Sequence, residues 1–275
     1  MKKWIAILCV IAILFSLVAC HSNINPEEST GPQNGETTGN ESVEPQGDSL
    51  QVRIISGTGT GQLVLAGINS GDVYTVNDTE LTVYLDDKTA EPSDLVNGML
   101  LTIDPGYTVL ETWPGQLTGA TVHAYSKPSD EKDHGDICGL YLQVLEDLWE
   151  DDSGLNSDIT YISVDLANAP GDLTDGEKAA VAWIFAGAQD KQGLQFGFEE
   201  LKGKGYIDES VLYWEDGVLF SIKKSDKGTD SAQNISFDAE KWRSGLGAIF
   251  YMDCSAERGT GVQWKQYEVG SFAIS

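Results

Sequence analysis

Asp136-Ile-Cys-Gly-Leu-Tyr-Leu-Gln-Val-Leu-Glu-Asp-Leu-Trp149 is the stretch on which the reading of the fold turns. Ile137, Leu140, Tyr141, Val144, Leu145, Leu148 and Trp149 recur at the i, i+3, i+4 spacing that lines one face of a helix. Asp136 stands where an N-cap carboxylate accepts from the first free backbone N–H groups. Cys138 lies on the same apolar side, where a thiol behaves as a small hydrophobe. The chain before this helix and the chain after it follow different patterns, so the segment divides the sequence.

Upstream, residues 51–127 alternate with period two. Val52-Arg-Ile-Ile, Asp72-Val-Tyr-Thr-Val, Leu81-Thr-Val-Tyr-Leu, Met99-Leu-Leu-Thr-Ile, Thr108-Val-Leu-Glu-Thr-Trp and Ala120-Thr-Val-His-Ala-Tyr read as short strands. Asn77-Asp78 and Asp104-Pro105-Gly106 punctuate them as turns, the spacing of a small barrel or sandwich. Gly57-Thr-Gly59-Thr-Gly61 looks like a phosphate loop, but a strand, Gln62-Leu-Val-Leu, follows the glycines where phosphate binding needs a helix N-terminus. It reads as a hairpin turn.

Downstream, a strand is expected at Ile159-Thr-Tyr-Ile-Ser-Val and a second helix after Thr174-Asp-Gly-Glu177, a capping box. Val181, Ile184, Phe185 and Ala188 continue its buried face, and a short helix is expected near Phe198–Leu201. Asp216-Gly217 between Val211-Leu-Tyr-Trp and Val218-Leu-Phe-Ser-Ile predicts a hairpin. Further strands are expected at Ile235–Phe237, Leu246–Cys254 and Val262–Val269, the last pair turned by Gly259-Thr-Gly261. The fold class is α+β. A small β-barrel-like domain at 51–127 precedes an α+β domain at 136–275, with two or three helices and an antiparallel meander. The join near Ser126–Asp130 separates two units expected to fold independently.

The amino-terminal end carries an address. Lys2 and Lys3 precede an apolar run from Trp4 to Phe15, too short for a comfortable membrane span, and polar residues follow. Leu17-Val18-Ala19-Cys20 ends the segment and resembles the lipobox of bacterial prolipoproteins. That resemblance implies a signal peptide at 1–19, removed on export. Cys20 would then be the lipidated N-terminus, its acyl chains (palmitate among them) holding the protein to the outer face of the cytoplasmic membrane. Two or more chains are what stable anchoring takes. From Cys20 to about residue 50 the chain has almost no apolar residues and reads as a flexible tether.

Part of the β region also carries a resemblance. Leu95-Val96-Asn97-Gly98, Met99 to Ile103, then Val109-Leu-Glu-Thr-Trp-Pro-Gly-Gln116 is similar to a small OB-like domain of uncharacterised Gram-positive lipoproteins. Asn97-Gly98 lacks that pattern's Asp, and Thr-Trp stands for its Ser-Tyr. The resemblance implies a fold and no activity.

Charge bounds the partners. Lys and Arg number 17 against 43 Asp and Glu, a formal net charge of -26, so nucleic acid is excluded and anionic wall polymers and lipid headgroups are repelled. Acidity also keeps a surface protein soluble. Beyond Cys9 and Cys20, the remaining cysteines are Cys138 and Cys254, which an oxidising compartment would permit to pair or to stay as buried thiols. Three scattered histidines, His21, His123 and His134, show no ligand spacing, and no cofactor is called for.

Catalytic motifs find little support. Ser221-Ile-Lys-Lys224 matches Ser-x-x-Lys only formally, because that chemistry needs the Ser at a helix start and companion elements. No Gly-x-Ser-x-Gly elbow occurs. Asp151-Asp-Ser-Gly-Leu-Asn-Ser-Asp158 offers oxygens to a hard cation but lacks the EF-hand register.

One segment invites a binding role: Trp242, Arg243 and Ser244, within Glu240-Lys-Trp-Arg-Ser-Gly-Leu-Gly-Ala248. It resembles a Trp-Arg-Ser-Gly-Leu-Gly-Ala stretch in the C-terminal domain of the same lipoproteins. A guanidinium fork beside an indole, with glycines opening the backbone, suits a carboxylate-bearing ligand. The alternative is a tight corner with Trp242 buried and Arg243 paired locally. The expected function is non-catalytic binding or scaffolding of an envelope protein or peptide. A cell-wall or peptide hydrolase is the alternative.

Overall fold

The computed structural model describes residues 47–127 and 133–275. The expected signal segment, Cys20 and nearly all of the tether lie outside them. The first strands are β1 (Leu50–Ser56), β2 (Gln62–Gly67), β3 (Val73–Asn77), β4 (Leu81–Leu85), β5 (Lys88–Ala90), β6 (Leu100–Ile103), β7 (Thr108–Leu110), β8 (Gly115–Thr118) and β9 (Ala120–Ala124). They form one sheet in the order β5-β4-β9-β6-β1-β2-β3-β8-β7. Inward side chains such as Val52, Ile54, Leu65, Leu101, Val122 and Leu117 share a single core, so the sheet curls around it.

The sheet is nevertheless open, which corrects the barrel expectation. Its outer strands β5 and β7 have three residues each, and Pro92 and Pro114 follow them with no N–H to extend a ladder. Gly57, at φ 95°, turns β1 into β2 as expected; a Cβ there would lie 2.0 Å from the Gln62 carbonyl oxygen.

The second half begins with α1 (Ile137–Glu150), capped by the Asp136 carboxylate accepting from the Gly139 N–H at 3.2 Å. After it come β10 (Tyr161–Asp165), α2 (Asp175–Ala188), β11 (Gln192–Leu194), α3 (Phe198–Gly203), β12 (Gly217–Lys224), β13 (Asn234–Ser244), β14 (Gly247–Glu257) and β15 (Ser271–Ile274). The capping box of α2 forms both ways: Glu177 N–H to Thr174 Oγ1 at 3.2 Å and Thr174 N–H to Glu177 Oε2 at 2.7 Å. The sheet order is β11-β10-β12-β13-β14-β15. β10 lies parallel to β11 and β12, and the remaining pairs are antiparallel.

Two expectations fail here for visible reasons. Val211–Trp214 is not a hairpin arm. Gly217 opens β12 because the buried Trp214 ring lies against it, where a Cβ would sit 2.1 Å away, and parallel pairing with β10 takes the flank that a hairpin partner would occupy. Val262–Val269 is not a strand either. Trp264 Nε1 reaches the His134 carbonyl at 2.7 Å, Tyr267 OH reaches Asp147 at 2.6 Å, and the Val262 carbonyl accepts from Asp136 N–H at 2.7 Å. These bonds draw the segment toward the helix side, leaving only the isolated bridges Ser255 with Glu268 and Arg258 with Trp264.

Beside the core enclosed by the first sheet, the two stretches also share an apolar cluster. Val64, Ala66 and Val73 point to the outer face of the first sheet, and Ile55, two residues after the outward Arg53, points the same way. All four are buried with residues of α1 and α2 in one apolar cluster. β2 is thus covered on both faces, which explains its unbroken Leu-Val-Leu-Ala run. Cys138 and Cys254 lie in the same cluster as free thiols.

Candidate functional site

β13 aims Phe237, Ala239, Lys241 and Arg243 toward the helix side. The first two enter the core, while the two cations meet the chain that leaves α1. Lys241 is fully buried and donates to the carbonyls of Trp149 at 3.3 Å, Asp151 at 2.6 Å and Asp152 at 3.2 Å. A helix C-terminus leaves such carbonyls without intrahelical partners and carries partial negative charge, so an ammonium fits there. Burial pushes Lys241 down to about 8, against the upward pull of Asp152 and Asp151. The oxygen-rich 151–158 loop therefore holds a cation from inside the protein, and no three acidic, His or Cys side chains gather as metal ligands among the described residues.

The predicted Trp242–Arg243–Ser244 site does not assemble. Arg243 is buried, and its fork donates to the carbonyls of Leu155 at 3.1 Å, Ser157 at 2.7 Å, Glu215 at 2.8 Å and Trp214 at 3.4 Å. Trp242 packs edge-on to Phe198 at 5.0 Å in a separate small core on the other side of the strand. Successive residues of a strand point apart, so indole and guanidinium cannot face one ligand. Ser244 Oγ accepts the Leu246 N–H at 3.3 Å within the β13–β14 turn.

A second group of charges, which sequence reasoning missed, lies between the two sheets. Arg53 on β1 donates to Glu177 at 2.7 Å, Asp133 at 2.9 Å and the Gly98 carbonyl at 2.7 Å. His134 Nε2 is 3.4 Å from the same Glu177 oxygen, and Arg258 donates to the Asp133 carbonyl. Burial pushes the Glu177 carboxyl up, but His134, Arg53 and the Thr174 N–H override it and hold the group at about 2. Asp136, by contrast, is raised to about 7 by burial, despite the Gly139 N–H, Gln263 and Arg53. Gly98 must be glycine here, since a Cβ would lie 2.5 Å from the Asp136 nitrogen. The cluster ties β1 to α2, with the buried Arg258 Nε left without a hydrogen-bond partner among the described residues.

Beside it a cavity of 250 Å³ opens between the outer face of the first sheet and the second half. Gln51, Thr102, His123, Tyr125, Lys127 and Asp133 supply its polar lining. His123 is held by Asp104 at 3.0 Å and stacked on Tyr84 at 5.0 Å.

The last feature is an edge. β15 closes the second sheet, paired only with β14 among the described residues. Phe272 and Ile274 stand opposite Tyr251 and Ile249, on the helix-facing side, and remain 51% and 61% exposed. The Phe272 ring lies 5.9 Å from that of Tyr251, whose OH donates to Asp151 at 2.7 Å. Leu246, 91% exposed, marks the neighbouring turn. No protein-family model matches the chain, and no curated protein matches it either.

Proposed function

We propose that this chain is a lipid-anchored extracytoplasmic protein that binds an envelope protein or peptide without transforming it. The observation that carries the reading is the ordered run of Lys2-Lys3, the apolar Trp4–Phe15 and Leu17-Val18-Ala19-Cys20. This is the arrangement of a signal peptide ending in a lipidation site. The polar stretch that follows acts as a spacer lifting the two-sheet body off the headgroups. Binding is favoured over hydrolysis because the buried Lys241, Arg243, Arg53 and Glu177 are spent on one another and on backbone carbonyls, while β15 presents an open edge. The OB-like likeness of the first half belongs to the same reading. Its support is positional: no side chain fits at Gly98, and Pro114-Gly115-Gln116 opens β8.

The test is Cys20→Ala in intact cells. The variant is expected to appear in the medium or to accumulate uncleaved, since only the thioether-linked chains hold the protein. Normal processing with retention in the membrane fraction, in detergent-free buffer, overturns the anchor.

A further inference from the structure

We infer that β15 is the docking edge for an extended, cationic segment of a protein partner, which adds to the second sheet as a further strand. The inference rests on the binding reading above and gives it a place and a chemistry. Outer strands present unpaired N–H and C=O groups, and proteins ordinarily blunt them by shortness, charge or proline. The other three outer strands are blunted. β5, β7 and β11 have three residues each; Lys88 lies in β5, Pro92 and Pro114 follow β5 and β7, and Asp190-Lys191 precedes β11. β15 is Ser-Phe-Ala-Ile, with no charge and no proline.

Backbone geometry points the same way. The Ser275 N–H donates to the Ala248 carbonyl at 3.0 Å, making Ser275 and Ala248 a hydrogen-bonded pair. Antiparallel pairing alternates, so Ala273 with Phe250 is the next such pair, and the backbone groups of Phe272 and Ile274 face away from β14. The residues whose apolar side chains are exposed are thus the ones whose backbone groups have no ladder partner among the described residues. An added strand gains ladder bonds at both and lays alternate apolar side chains beside Phe272 and Ile274.

Charge selects the occupant. Asp151 is joined to this face through Tyr251, and Glu150 and Asp152 flank it on the chain leaving α1. A second copy of the chain would bring a net charge of -26 against another of -26, whereas a segment with Lys or Arg between its apolar residues meets opposite charge.

The experiment uses the full chain in detergent micelles and a fluorescein-labelled Lys-Val-Lys-Val-Lys-Val-Lys peptide, read by fluorescence polarisation, with Glu-Val-Glu-Val-Glu-Val-Glu as control. The cationic peptide is expected to bind, more weakly at high salt, and the acidic one not to bind. Ile274→Pro removes one outward N–H without touching the ladder to β14 and is expected to weaken binding about tenfold beyond Ile274→Ala. Phe272→Lys, a surface change that keeps the fold, is expected to abolish it and keeps the test valid if the proline variant unfolds. Equal binding of both peptides, no binding of the cationic one, or unchanged affinity in both variants overturns the proposal. So does a dimer in sedimentation that Phe272→Lys splits, which would assign the edge to a second copy. Failure here, with Cys20→Ala behaving as expected, removes the docking edge and leaves the lipid anchor standing.

Discussion

Replacing Glu177 by Gln probes the contact that joins the two sheets. In the folded chain the carboxyl is fully buried and held at about 2, against an ordinary value of 4.5. A folded value below the unfolded one means that ionisation stabilises the fold. That contribution is fully present above the unfolded value and is lost as pH falls through the folded one. At about 1.4 kcal/mol per pH unit of difference, it comes to ~3 kcal/mol at neutral pH. Removing one partner of a buried pair costs about 3–5 kcal/mol in general, and Arg53 keeps Asp133 and the Gly98 carbonyl, so the lower end applies. The amide oxygen of the substituted side chain would still accept the Thr174 N–H, leaving the helix cap in place. In a chain of this size ~3 kcal/mol corresponds to a melting point lower by about 6–12 °C. Urea titrations followed by tryptophan fluorescence should show the gap between wild type and Glu177→Gln narrowing from about pH 5 to about pH 2. A gap below about 0.5 kcal/mol at neutral pH, or one that does not close in acid, refutes the assignment of Arg53 and His134 as the source of stability.

Asp136 predicts the opposite slope. Its raised value means that the fold favours the neutral carboxyl, so stability is lost as pH rises from the unfolded value, about 4, through about 7. Asp136→Asn keeps a good N-cap and should flatten that decline, seen as a urea midpoint constant across neutral pH; an unaltered slope would place the titrating group elsewhere. Arg243→Ala strips hydrogen bonds from four carbonyls and should cost about 3–5 kcal/mol while leaving peptide capture by the folded fraction intact. A melting point unchanged within a degree would mean that the fork is free after all.

Features set by neighbours in sequence were legible. The stripe Ile137–Trp149, the Thr174–Glu177 box and the glycine turn after β1 depend on residues within a few positions of one another, and each forms where expected. What failed depended on partners far along the chain. Asp216-Gly217 has the composition of a hairpin, yet the strand it opens pairs with β10, some fifty-six positions away at Thr160–Asp216. Arg243 reads as a surface fork beside Trp242 until the strand alternation and the carbonyls of Leu155 and Ser157 are known. Arg53 stands on a strand of the period-two region, and only α2 laid across the outer face makes it interior. The last strand lies at Ser271–Ile274 and not at Val262–Val269: the latter is longer and mixes apolar with polar residues as a strand does, but side-chain bonds to the His134 carbonyl and Asp147 draw it out of strand geometry.

The place of β1 has a mechanical consequence. It is the first strand after the amino-terminal segment, it sits in the middle of the nine-strand order, and Arg53 fastens it to α2. A pull arriving from the amino-terminal side therefore loads the best-braced strand of the first sheet, shearing two ladders and an ion cluster together instead of peeling an outer strand one bond at a time. Under tension such a body fails late and all at once, its lifetime set by the unfolding rate.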